Sequence, residues 1–79
     1  MQTLELLREN LEIFFRAVHA HAEASLIEET GQYEGGEYYA VYELNDELFM
    51  FHFSHKTICR LIVFENVPSA LQYMHTVKI

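Results

Sequence analysis

The chain has 79 residues, of which 51% are hydrophobic and 14% aromatic, and its net charge is −7, from 5 Lys and Arg against 12 Asp and Glu. This length predicts a single domain over residues 1–79, and this composition excludes a disordered tail. The few cations are scattered and no apolar run approaches the ~20 residues of a membrane span, so we expect neither nucleic-acid nor membrane binding. The single cysteine, Cys59, and the lack of a signal-peptide pattern predict a cytoplasmic protein.

The N-terminal third predicts one long helix over residues 2–27, because it contains no Gly or Pro and is rich in Leu, Glu and Ala. At ~100° per residue, its charged side chains fall on one narrow side. Apolar side chains cover roughly twice the arc of an ordinary surface helix. The sequence therefore predicts more apolar helix surface than one small sheet can cover.

Two polar residues, Asn10 and His21, fall inside that apolar arc, in line with Leu7 and Phe14. Polar residues within an apolar seam often set the register of a helix–helix interface. The alternative is that Asn10 and His21 mark the edge of the apolar arc.

The residues TGQYEGGE (30–37) are expected to end the helix, with Gly31 as its C-terminal cap and Gly35-Gly36 as a turn. Asn45-Asp46 predicts a two-residue hairpin turn. Three runs rich in β-branched and aromatic residues predict strands, at positions 37–44, 47–53 and 57–65.

A short final helix is predicted over residues 66–77, where Asn66 is positioned as the cap and Pro68 lies in the first turn. The order of elements is therefore α-β-β-β-α. We expect an α+β domain with a three-stranded antiparallel meander, a long N-terminal helix packed on one face and a short C-terminal helix.

The predicted strand pairing gives the sheet two apolar faces. A turn at Asn45-Asp46 places Tyr42 opposite Phe49, and a turn after the second strand places His52 opposite Cys59. One long helix cannot cover both faces, so we expect a homodimer that buries the open one. The predicted interface comprises Leu7, Asn10, Phe14, His21, Leu48, Met50, Leu61 and Val63.

The second and third strands also hold the weak candidates for a metal site, which are His52, His55 and Cys59. Zinc favours thiolate and imidazole, but a structural zinc site needs four ligands and His55 would point away from the other two. A Cys59–His52 nucleophile pair is disfavoured because burial among aliphatic side chains raises the pKa of a thiol. We therefore expect a buried thiol, no cofactor and no catalytic residue.

These features predict a small acidic, non-enzymatic interaction or regulatory module that acts as a homodimer and has an unknown protein partner. One alternative is an inhibitor of the phage or mobile-element type, whose acidic surface imitates nucleic acid. The carboxylates that would line the helix are Glu5, Glu9, Glu12 and Glu23. Arg8 and Arg16 interrupt this row. A second alternative is a small metal- or ligand-binding protein that uses histidines.

Overall fold

The computed structural model describes residues 2–32, 37–54 and 57–64, together with Pro68, Leu71 and Gln72. Five strands and one helix have their bounds within the described residues, in the order β1-α1-β2-β3-β4-β5, and Pro68, Leu71 and Gln72 are also helical. Their bounds are β1 Gln2–Leu7, α1 Arg8–Ala20, β2 Ser25–Gly31, β3 Tyr38–Leu44, β4 Glu47–Phe53 and β5 Ile58–Phe64. With 13 residues, α1 is shorter than the ~20 that cross a bilayer, and the described part of the chain offers no helix suited to that role.

All five strands pair antiparallel in one sheet of order β1-β5-β4-β3-β2. Strands β2 to β5 form a meander, and β1 pairs with β5. Because β1 and β2 lie at opposite edges, α1 crosses one face of the sheet to connect them; we call this the helix side and the opposite face the far side. The predicted three-stranded meander with two helices is therefore wrong, and the fold is mostly sheet.

The first part of the predicted helix 2–27 is the strand β1. Thr3, Leu4, Glu5 and Leu6 alternate polar and apolar, so this segment fits a strand period as well as a helix period. Pairing with β5 places Leu4 opposite Leu61 and Leu6 opposite Cys59. These cross-strand contacts outweigh the modest helix propensity of Leu and Glu.

The helix also ends before the predicted position, without Gly or Pro. The backbone of His21 is extended, with φ −72° and ψ 129°, and its Nδ1 accepts a hydrogen bond from the N–H of Glu23 at 3.1 Å. The chain then enters β2. Gly31 is therefore not a helix cap but the end of β2, and the predicted Gly35-Gly36 turn lies outside the described residues.

The hairpin between β3 and β4 is confirmed. Asn45 and Asp46 both have positive φ, at 53° and 64°, as the tightest hairpin turn requires. Tyr42 lies opposite Phe49, as predicted.

The predicted register between β4 and β5 is wrong by one residue. His52 lies opposite Arg60 rather than Cys59, and Phe51 lies opposite Leu61. Since side chains alternate between faces, this difference transfers every β5 side chain to the other side of the sheet. Cys59 and Leu61 therefore lie on the helix side, and Arg60 and Ile62 lie on the far side.

Each face of the sheet has its own apolar cluster. On the helix side, Leu11 and Val18 of α1 pack onto the sheet. The sheet contributes Tyr38, Ala40, Tyr42, Phe51, Phe53, Cys59 and Leu61. The far-side cluster comprises Tyr39, Val41, Leu48, Met50, Ile62 and Phe64.

The far-side cluster is buried within a single chain. Met50 has no exposed surface and Leu48 is only 3% exposed, and Leu71 packs against the cluster from beyond β5. The premise that a second copy must cover an open sheet face is therefore wrong. Most of the predicted helix 66–77, including Asn66, lies outside the described residues.

Candidate functional site

The structure places His52 on the far side, near the end of β4. Its ring stacks on that of Tyr39, with centroids 4.2 Å apart and an interplanar angle of 13°. Its Nε2 lies 3.6 Å from Oε2 of Glu37, and the hydroxyl of Tyr39 donates a hydrogen bond to the same carboxylate oxygen at 3.2 Å. Tyr39 thus holds the imidazole by stacking, and the buried Nε2 has no hydrogen-bond partner among the described residues.

A cavity of ≈ 210 Å³ adjoins this histidine. Its lining residues are Glu37, His52, Ser54, Ile58, Cys59 and Arg60. Burial lowers the pKa of His52 below its ordinary value of 6.5, Arg60 adds to that effect, and Glu37 opposes it. The imidazole is therefore held mainly in its neutral form at neutral pH.

Cys59 does not share the face of His52, although it was predicted to. It is 1% exposed, on the helix side opposite Leu6, and its thiol donates a hydrogen bond to the carbonyl of Ser54 with a separation of 3.9 Å. Both residues line the cavity, but their side chains project from opposite faces of the sheet, so the structure does not pair Cys59 and His52 as nucleophile and base. His55 lies outside the described residues, and within the described ranges no three His, Cys, Asp or Glu side chains are grouped to hold a metal ion.

The predicted interface residues are dispersed over the molecule. Leu48, Met50 and Leu61 are buried, and Val63 is half-buried. His21 is exposed in the turn that follows α1 rather than lying in a helical seam. Only Leu7, Asn10 and Phe14 are exposed near one another along the chain, at the end of β1 and on α1.

A partly exposed apolar corner lies on the helix side, beside α1. It comprises Leu4, Phe14, Phe49 and Val63. Val63 lies opposite Phe49 on adjacent strands, and the ring centroid of Phe14 is 5.8 Å from that of Phe49. Leu4 is 42% exposed and Phe14 is 37% exposed.

Strand β1 is the feature that the sequence analysis missed. It forms one edge of the sheet, and all its residues except Leu6 are exposed. The polar–apolar alternation of residues 3–6 was the available signal. An edge strand is paired on one side only. The backbone N–H and C=O groups on its other side therefore form a template for another strand.

Comparisons of the chain with protein-family models, with curated proteins and with solved structures give no match.

Proposed function

We propose that this chain is a small non-enzymatic protein-interaction module that binds its partner by adding a strand to the outer edge of β1. The proposal rests on two properties of β1, its regular pairing and its residue composition. β1 pairs with β5 over six consecutive residues without a bulge, and it contains neither Pro nor Lys. Such an edge is open to strand addition, which is a common mode of peptide recognition.

The opposite edge of the sheet is better protected than β1, which carries one carboxylate, Glu5, and no bulge. The register of β2 against β3 shifts between Leu26 and Glu28, which indicates a bulge at Ile27. Two carboxylates, Glu28 and Glu29, follow it directly. Bulges and charges are the usual means by which proteins keep sheet edges from pairing. The contrast between the two edges supports a binding role for β1.

Leu4 is the member of the apolar corner that lies at this edge. Leu4 belongs to both features, since its backbone lies in β1 and its side chain lies on the helix side with Leu61. In strand addition, backbone hydrogen bonds supply affinity and alternate side chains supply specificity. A partner strand along β1 would cover Leu4, whereas Phe14 packs on Phe49 of β4, two strands from this edge.

The arrangement of the chemically reactive side chains supports a non-enzymatic role. Cys59 is buried on the helix side and His52 lies on the far side, so neither can activate the other as nucleophile and base require. We also propose a cytoplasmic location, because the only cysteine of the chain is buried and so unsuited to intermolecular disulfides.

The two alternative functions find less support. The acidic row expected on a long helix is interrupted: Glu5 lies in β1, and Glu12 is 3.2 Å from Arg8 and 3.9 Å from Arg16. A histidine-based metal site would need ligands beyond His52 and Glu37, its neighbour at 3.6 Å.

The test is affinity capture from an extract of the native cells with four forms of the tagged chain. These are the unaltered chain, Leu4→Lys, Glu5→Pro and the matched control Leu26→Lys. Leu26 is 45% exposed, close to the 42% of Leu4, and also lies in an edge strand. We expect the unaltered chain and the control to retain the same partners, including any untagged copy of the chain, and the two β1 variants to lose them. Equal capture by all four forms would show that the β1 edge is not the binding surface.

A further inference from the structure

The direction of the free backbone groups of β1 follows from its junction with α1. The N–H of Arg8 donates to the carbonyl of Thr57 at 2.8 Å, which continues the β1–β5 ladder by one residue. In an antiparallel ladder, successive residues direct their N–H and C=O groups to alternate sides. The backbone N–H and C=O groups of Thr3, Glu5 and Leu7 therefore point away from β5, outward from the open edge.

This edge is complementary to itself. Two copies of β1 that pair antiparallel are related by a two-fold axis perpendicular to the sheet, so both helices lie on the same side. With Leu4 opposite Leu4 of the second copy, Thr3 of each copy lies opposite Glu5 of the other. Thr3 and Glu5 are residues whose backbone groups point outward, so they form the hydrogen-bonded pairs.

Charge disfavours the neighbouring register centred on Glu5. A shift by two residues places Glu5 directly opposite Glu5 of the second copy, and like charges in that position are destabilising. In the Leu4-centred register, Glu5 instead lies between Thr3 of the second copy and Arg60, its neighbour on β5. The carboxylate then has a hydroxyl on one side and a cation on the other.

Charge also disfavours pairing between unlike edges. If β1 of one copy added to β2 of another, Glu5 would lie along the strand that carries Glu28 and Glu29, and the bulge at Ile27 would interrupt the ladder. Such head-to-tail pairing would also leave further edges open and build a filament. Pairing of β1 with itself closes the assembly as a dimer.

We infer that the occupant of the β1 edge is a second copy of this chain, paired antiparallel with Leu4 opposite Leu4, so that the two sheets form one continuous ten-stranded sheet. This inference rests on the proposed function and names the partner of the same surface. Leu4 of each copy is covered by Leu4 of the other across the two-fold axis. The dimer therefore forms at the strand edge and not on a sheet face.

Disulfide trapping tests both the partner and the register. Leu4→Cys and Glu5→Cys are prepared separately in a Cys59→Ala background, and each is oxidised and run on a non-reducing gel. In the inferred register, Leu4 lies at a non-hydrogen-bonded pair with Cα atoms about 4.5 Å apart, within the roughly 4.4–6.8 Å of a disulfide. The two copies of Glu5 are offset by two residues, about 6.6 Å along the strand, which places their Cα atoms beyond disulfide reach.

We expect Leu4→Cys to run as a covalent dimer on the non-reducing gel and Glu5→Cys to run at the mass of a single chain. The reverse result would overturn the register. Light scattering of the unaltered chain provides a second measurement, with an expected mass twice the 9.3 kDa of one chain. A mass of 9.3 kDa that persists at high micromolar concentration, with no trapped dimer from either variant, would overturn the second copy as partner. The proposed function would then still stand if capture from extract remained sensitive to Leu4→Lys but not to Leu26→Lys.

Discussion

At the scale of single residues, Phe15 connects the helix to the sheet. Its ring centroid lies 5.2 Å from those of Phe51 and Phe53 and 5.9 Å from that of Tyr42. Edge-to-face aromatic pairs add to the stabilisation from burial. We expect Phe15→Ala to lower the free energy of unfolding by about 3 kcal/mol.

Ile13 is the matched control for Phe15, since it lies on the same helix and is 68% exposed. Ile13→Ala should change the free energy of unfolding by less than about 0.5 kcal/mol. Urea denaturation followed by circular dichroism measures both variants. Equal effects of the two substitutions would contradict the central role of Phe15.

His52 makes the stability of the fold depend on pH. Its pKa in the folded chain is lowered from 6.5, chiefly by burial, so the unfolded chain binds the additional proton more readily. The contribution of neutral His52 to the free energy of unfolding is therefore complete above pH 6.5. It is lost as the pH falls from 6.5 toward the lowered pKa. We expect the unaltered chain to be less stable at pH 5.5 than at pH 7.5.

A His52→Phe variant isolates this effect, because it keeps an aromatic ring against Tyr39 and removes the titrating group. The free energy of unfolding, measured by denaturant titration at both pH values, should decrease less for the variant than for the unaltered chain. The same decrease in both would mean that other groups cause the pH dependence.

At the scale of elements, the end of β2 depends on one glycine. Gly31 has φ +93°, and a Cβ at this position would lie 2.0 Å from the carbonyl oxygen of Glu37. The N–H of Gln32 donates to that same carbonyl at 3.1 Å. We expect Gly31→Ala to lower the free energy of unfolding by about 1–3 kcal/mol, because both the backbone conformation and the contact become unfavourable.

The control for this prediction is Ser25→Ala, at the exposed opposite end of β2. It should change the free energy of unfolding by less than about 0.5 kcal/mol. Thermal unfolding of both variants at one protein concentration gives the comparison. A stability of Gly31→Ala equal to that of the unaltered chain would show that the backbone at the end of β2 can rearrange without cost.

At the scale of the whole molecule, association through β1 should appear as a dependence of stability on concentration. A dimer that dissociates when it unfolds becomes more stable as the protein concentration rises. We expect the midpoint of thermal unfolding to increase with concentration for the unaltered chain and for Leu26→Lys. For Leu4→Lys the midpoint should be constant, because two lysines would face each other at the two-fold axis. A midpoint independent of concentration in all three forms would contradict the dimer.

Local chemistry in the sequence was sufficient to predict the central strands and one turn. Runs of β-branched and aromatic residues predicted β3, β4 and β5 to within a residue or two. Asn45 and Asp46 tolerate positive φ better than most residues do, so the hairpin and its Tyr42–Phe49 pairing followed from the turn alone. These features depend on residues that are close together in the chain.

Contacts between distant residues decided the rest. Residues 2–7 form a strand only because β5, more than fifty positions later, provides their partner. The register of β5 against β4 placed Cys59 and His52 on opposite faces, and no strong turn residue between the strands indicated it. The far side of the sheet is buried by packing that includes Leu71, so the interface that we propose lies at the β1 edge instead. Propensity and periodicity describe short segments, whereas edge, register and burial depend on which distant segments pair, and only the tertiary structure contains that information.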